Sequence, residues 1–179
     1  MILFAALPVY DKLAKDIDRM QKGVSGARWR PRENLHMTLC YFGDVGLDQA
    51  EVLDEALARD PLPPVELTLE GAGHFGKTDI HAIWARVQPS EQITALRKAC
   101  RRAAREARIQ LEVRNFIPHV TMAYMVHGAP HDRILAFEKR MVRFKAGPQF
   151  TDEMILYSSE PKKRGPNIYV PRASYPLLG

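Results

Sequence analysis

Asn34-Leu35-His36-Met37-Thr38-Leu39 and Ile117-Pro118-His119-Val120-Thr121-Met122 are the two stretches that decide how this chain is read. Each holds a His-x-Thr triplet whose spacer and following residue are apolar. Side chains two apart on a β-strand share a face. His and Thr therefore look one way, while Met37 and Leu39, or Val120 and Met122, look the other. Each segment offers one face to a core and carries an imidazole beside a hydroxyl on the opposite face. One such strand is commonly structural. Two of them, 83 residues apart in a chain of 179, point to a duplicated unit whose halves meet across one cleft.

The surrounding pattern supports a repeat of that kind. Ile2 to Leu7 reads as a strand stopped by Pro8. Leu13, Ile17 and Met20 recur at helical spacing between Tyr10 and Lys22. Gly23, Gly26, Pro31 and the cluster Arg28, Arg30, Arg32 mark a loop. The first motif strand then runs to Phe42 and ends at Gly43-Asp44. Asp48 to Arg59 is helical and is stopped by the prolines at 61, 63 and 64. Val65 to Glu70 alternates as a half-buried strand, Gly71 to Asp79 is a loop, and Ile80 to Val87 is a strand. Ser90 is the N-cap of a helix reaching Arg108. Leu111 to Val113 is a short strand before the second motif. His131 to Lys139 is helical and Val142 to Ala146 extended. Glu153 to Ser158 and Ile168 to Pro176 are strands around a loop at Pro161 to Pro166. Strand, helix, motif strand, helix and strands thus recur twice. The fold class is α+β, with antiparallel sheets and helices packed outside, in a single two-lobed domain over 1–179.

Composition narrows the partners. A chain of 20.3 kDa can bury one sizeable core. A net charge of +5 favours anionic ligands without separating RNA from small phosphates. Cys40 and Cys100 lack metal-ligand spacing and read as reduced thiols. The apolar run Ile2 to Val9 is short and without a basic leader, so it is a first strand rather than a signal peptide. No stretch has the length of a membrane span. A cytoplasmic protein is expected.

Two imidazoles flanking one ligand suit phosphodiester chemistry. Histidine titrates near neutrality, so one ring can accept a proton while the other donates. Opening a cyclic phosphodiester with water needs that pair: a base for the attacking water and an acid for the departing oxygen. Thr38 and Thr121 can donate to the non-bridging oxygens as charge grows there. No cofactor and no metal are called for. The rival metal reading has only two imidazole ligands, where catalytic zinc usually takes three from protein, and His74, His81 and Asp44 have no spacing that supplies a third.

Leu35-His36-Met37-Thr38-Leu39 with Phe42-Gly43, Pro118-His119-Val120-Thr121-Met122, the opening Leu3-Phe4-Ala5-Ala6-Leu7-Pro8 and Arg28-Trp29-Arg30-Pro31-Arg32-Glu33-Asn34 together resemble the two-histidine (2H) phosphoesterases. Among these the likeness is to the bacterial RNA 2′,3′-cyclic phosphodiesterases, formerly called 2′-5′ RNA ligases. The resemblance runs nearly end to end, through Leu69-Glu70-Gly71 to Phe75, Trp84 and Ile155-Leu156-Tyr157. It implies a bilobal LigT-like fold with two antiparallel sheets facing a central cleft. It also implies metal-independent opening of a 2′,3′-cyclic phosphate at an RNA end to a 2′-phosphate. His36 and His119 would be the acid and base, with His119 activating water and His36 protonating the 3′ oxygen, or the reverse. Thr38 and Thr121 would hold the phosphate. Hydrolysis or ligation of 2′-5′ linkages is the neighbouring activity, and a nucleotide- or RNA-binding module without catalysis is the alternative from another class. Relatives often carry an arginine five residues after the second histidine. Here that residue is Tyr124, which brings no charge, so phosphate binding must draw on another cation.

Other residues complete the expected site. Arg30, with Arg32, precedes the first motif and has the planar fork that suits phosphate. By parity Phe42 shares the face of His36 and Thr38 and is placed to stack on a base, with Cys40 lining the same cleft. Phe75, between glycines, is a second stacking candidate. Lys162, Lys163 and Arg164 form another basic loop. Arg97, Arg101, Arg105 and Arg108 read as the solvated face of a helix, His81 as structural, and His127 and His131 as exposed. A monomer acting on RNA or oligonucleotide ends is the expectation.

Overall fold

Apolar residues on both faces make β1 (Ile2–Pro8) a central strand, and Leu3 through Leu7 are all buried in the computed structural model, which describes residues 1–178. β1 is flanked by β3 (His36–Asp44) on one side and β8 (Glu153–Glu160) on the other. With β9 (Ile168–Pro176) they form an antiparallel sheet of order β3-β1-β8-β9. A second antiparallel sheet has the order β2-β6-β5-β4-β7. Its strands are β2 (Ala27–Trp29), β4 (Val65–Phe75), β5 (Ala82–Val87), β6 (His119–Met125) and β7 (Lys145–Thr151). The helices are α1 (Asp11–Asp18), α2 (Leu47–Arg59), α3 (Glu91–Glu106) and α4 (His131–Arg140). α2 and α3 pack on each other and on the first sheet, while α1 and α4 lie against the second. The expected α+β architecture, two antiparallel sheets with outer helices, is what forms.

The sheets do not correspond to the halves of the sequence. β1 and β3 share a sheet with β8 and β9 from the far end of the chain, whereas β2, β4 and β5 join β6 and β7. The sheets are interlaced along the chain, which a pattern read in chain order does not reveal. Gln149 of β7 ties them on one side: its amide nitrogen donates to the Pro8 carbonyl at 2.9 Å, and its oxygen accepts from the Tyr10 backbone N–H at 2.7 Å.

Several boundaries differ from the sequence expectation. β4 continues through Gly71 to Phe75 instead of ending in a loop, because Gly73 gives Trp84 room to lie across it. A Cβ at 73 would stand 2.3 Å from the indole. β2 occupies part of the stretch read as a loop, pairing Ala27, Arg28 and Trp29 with Met125, Tyr124 and Ala123. α1 stops at Asp18, and Leu111 to Val113 forms no strand. β5 starts at Ala82. Val142 lies in a turn, and the following strand starts at Lys145. Ser90 caps α3 as expected, its hydroxyl accepting from the Ile93 N–H at 3.1 Å.

Both motif strands carry a bulge at the same place. Ala5 pairs with Cys40 and Ala6 with Thr38, so Leu39 is an extra residue. Likewise Ile83 pairs with Ala123 and Trp84 with Thr121, leaving Met122 extra. A bulge of one residue reverses the alternation beyond it. Leu39 with Cys40, and Met122 with Ala123, are consequently all buried. Phe42 turns into the core at 4% exposed, and Tyr41 emerges beside the histidine at 58%. The sequence expectation that Phe42 and Cys40 face the cleft is corrected accordingly: simple parity fails where the pleat is interrupted.

Candidate active site

β3 and β6 approach each other between the two sheets, and His36 and His119 stand near enough for the charge of one to bear on the other. Each imidazole is locked by the same local device. The His36 Nδ1–H donates to the Asn34 carbonyl at 2.7 Å, and the His119 Nδ1–H donates to the Ile117 carbonyl at 2.6 Å. A carbonyl can only accept, so Nδ1 carries the proton in both rings and the neutral form has its lone pair on Nε2. His36 Nε2 lies 3.1 Å from the Thr38 hydroxyl.

Aromatic rings form the walls. Phe4 packs at 5.0 Å from His36 and Tyr169 meets the same ring edge-on at 5.1 Å. On the other side Phe75 stands edge-on to His119 at 4.9 Å and Trp84 lies at 5.6 Å. Phe75, expected in a loop, thus reaches the site from the end of β4. The indole N–H of Trp84 is buried without a hydrogen-bond partner. Burial pushes both imidazoles toward neutrality. His36 falls to about 4, with the Arg30 and His119 charges adding to the effect, and His119 falls below its usual value.

Arg30 follows β2 and is fixed beside β6, its N–H donating to the Met122 carbonyl at 2.8 Å. The Gln21 amide clamps the Arg30 and Met122 carbonyls together, at 3.0 Å to each. Arg30 is 8% exposed, and its guanidinium lies 5.1 Å over the Tyr124 ring and 5.8 Å from that of Tyr169, donating to the Tyr169 hydroxyl at 3.2 Å. It forms no ion pair with a carboxylate among the described residues. Arg32, by contrast, turns outward to Asp18 at 2.6 Å and stays out of the cleft. A buried cation without a counter-ion is costly, and an anionic ligand in the cleft would supply the missing charge.

His36, Thr38, His119, Thr121, Arg30, Tyr124 and Phe75 are therefore gathered in one region. Phe42 is not. Tyr41 takes its place: paired with Phe4 across β1–β3, it shares the face of His36. The signal for it was present, since Tyr41 and Tyr124 each stand five residues after a motif histidine. Tyr169 was missed because nothing local to β9 marks it as near the histidines. Cys40 is buried in the core and its thiol is pushed up to about 11. His127 and His131 are exposed as expected, whereas His81, read as a structural residue within a strand, is exposed and precedes β5. Among the described residues, no three or more of His, Cys, Asp and Glu gather as a metal-binding group. No helix among the described residues is long and apolar enough to cross a membrane.

With two facing sheets and a histidine–threonine pair on each, the chain belongs to the 2′-5′ RNA ligase superfamily, whose family model matches residues 9–146. It is 29% identical to an RNA 2′,3′-cyclic phosphodiesterase of Geobacillus stearothermophilus over 98% of its own length, spanning 57% of that relative. A protein of the same name from Methanothermobacter thermautotrophicus is 26% identical, with 91% of this chain and 92% of the relative covered. In fold it is similar to E. coli LigT complexed with 3′-AMP, with a TM-score of 0.79 and 22% identity over 99% of this chain and 98% of LigT. TT0787 of Thermus thermophilus gives a TM-score of 0.78 and 22% identity, covering 99% of this chain and 98% of that protein.

Proposed function

We propose that the protein hydrolyses 2′,3′-cyclic phosphate at RNA ends to a 2′-phosphate and a free 3′-hydroxyl, as a cytoplasmic monomer. The observation that carries this reading is the matched pair of imidazoles, both locked with Nδ1 protonated, which makes Nε2 of each ring the atom that can take or give a proton. The names of its relatives agree with it.

In the proposed reaction His119 Nε2 takes a proton from water as the water oxygen bonds to phosphorus. The bond from phosphorus to the 3′ oxygen breaks, and His36 delivers a proton to that oxygen. Thr38, Thr121 and Arg30 meet the non-bridging oxygens, where charge accumulates. The base stacks against Tyr41, Tyr124 or Phe75. A 5′-hydroxyl in the place of water would give a 2′-5′ linkage by the same displacement.

The test is an oligonucleotide ending in 2′,3′-cyclic phosphate, incubated in excess chelator. Turnover should continue, and the product should be the 2′-phosphate alone. Binding without turnover would make the protein a binding module, and a 3′-phosphate product would place the leaving oxygen on the wrong side.

The pH dependence follows from the depressed imidazoles. The profile of kcat/KM reports the free enzyme. Its acid limb is the base gaining a proton, and its alkaline limb is the acid losing one. Burial lowers both rings, His36 to about 4, so the maximum of kcat/KM is expected below about pH 6.5, the ordinary histidine value. A bound phosphate anion favours imidazolium, which moves the kcat profile to higher pH. A kcat/KM that climbs to a plateau above about pH 8 would contradict paired acid–base catalysis.

A further inference from the structure

Pro161 to Asn167, the exposed tip of the β8–β9 hairpin, carries Lys162, Lys163 and Arg164, and none of the three pairs with a carboxylate among the described residues. The carboxylate that closes β8, Glu160, is engaged by Arg172. A basic loop of this kind is ordinarily a solvated surface. Its placement here is what distinguishes it.

The buried Asn34 joins the tip to the catalytic centre. Its side-chain amide donates to the Asn167 carbonyl at 3.0 Å, while its own carbonyl accepts the Nδ1–H of His36 at 2.7 Å. Asn167 in turn donates to the Ser159 hydroxyl at 2.9 Å, closing the loop on itself. Next along β9, Tyr169 bonds Arg30 and meets His36 edge-on. Arg164 is three residues from Asn167, at most about 11 Å of backbone. The base of the tip is thereby tied to the His36 side of the cleft, and Lys162, the farthest of the three cations, is at most about 18 Å of backbone from Asn167. Arg28 of β2, exposed and in register with Tyr124 of β6, is a fourth cation without an ion pair among the described residues.

We propose that the β8–β9 tip grips the phosphate backbone of the RNA strand leading into the cleft, so that the enzyme acts on polymer ends in preference to cyclic mononucleotides. The proposal rests on the phosphodiesterase reading and deepens it. Backbone contacts carry no sequence choice, release counterions and are strongly salt-dependent.

The experiment compares the full chain with the variant Lys162→Gln/Lys163→Gln/Arg164→Gln on two substrates, a 2′,3′-cyclic mononucleotide and a ten-nucleotide RNA with the same end. The unaltered chain should favour the RNA. Three contacts at a slope of about 0.7 each on a single strand amount to an about 18-fold loss of kcat/KM between about 50 and 200 mM salt. The variant should lose that part of the salt slope and the preference, with mononucleotide turnover unchanged. Equal salt slopes for the two proteins on RNA, or a variant that slows both substrates alike, would overturn it. Fluorescence anisotropy of a ten-nucleotide RNA ending in 3′-phosphate reads the same slopes without turnover. A protein that turns over neither substrate therefore fails the phosphodiesterase reading, while the clamp is still decided by binding.

Discussion

His36→Ala and His119→Ala each lower turnover of a cyclic-ended RNA by about 10²- to 10⁴-fold, the range for loss of a positioned acid or base. The double variant is scarcely slower than either single one, because the two rings serve the same displacement and their effects do not add. Measuring kcat for the three variants checks this. A single variant within about tenfold of the parent protein would show that its imidazole only frames the cleft. Both rings are anchored by local carbonyls at Asn34 and Ile117, so their removal leaves the flanking core of Met37, Leu39, Val120 and Met122 in place. Loss of activity should come without a comparable fall in Tm.

Arg30→Gln is expected to reduce kcat/KM by about 10- to 150-fold, the equivalent of losing a hydrogen bond to a charged group. Two further readouts separate that effect from general damage. The Arg30 charge helps depress His36, so its removal raises the His36 pKa and moves the limb that His36 governs to higher pH. A buried cation with no counter-ion also opposes folding in the absence of ligand, so Tm should hold or rise. Adding Tyr124→Arg returns a cation to the position from which relatives often present one, and should recover part of the loss. An unchanged kcat/KM in Arg30→Gln would mean that phosphate is held by the threonines alone.

The parts legible in the sequence were those set by local spacing. The two His-x-Thr strands, the helices over 48–59 and 131–139, the Ser90 cap and the separation of polar from core residues within each His-x-Thr triplet all follow from patterns over a few residues. The parts that were not legible depend on contacts distant in the chain. Parity gave Phe42 to the cleft, but one extra residue at Leu39 handed that place to Tyr41. The glycines at 71 and 73 read as a loop, although Gly73 is small because Trp84 lies over it. Tyr169 reaches His36 and Arg30 from the far end of the chain, and the interlacing of the sheets is a matter of topology alone. The missing cation shows both sides. Its absence at Tyr124 and the candidate arginines at 30 and 32 were visible in the sequence, but the choice between those two was not, because Arg30 reaches the Tyr124 ring only once it is fixed beside β6 while Arg32 turns out to Asp18.

The twin bulges carry a chemical consequence. They make the two walls near copies: a ring tied back through Nδ1, a hydroxyl two residues on, and a phenol five residues on. Such a pair has no means of telling one ester oxygen of a five-membered phosphate ring from the other, since turning the ring over merely exchanges which imidazole meets which atom. Regiochemistry must then come from whatever breaks the likeness, and here that is Arg30 with Tyr169 on one flank and Trp84 with Phe75 on the other. Variants on those flanks, rather than at the histidines, are where mixed 2′- and 3′-phosphate products would first arise.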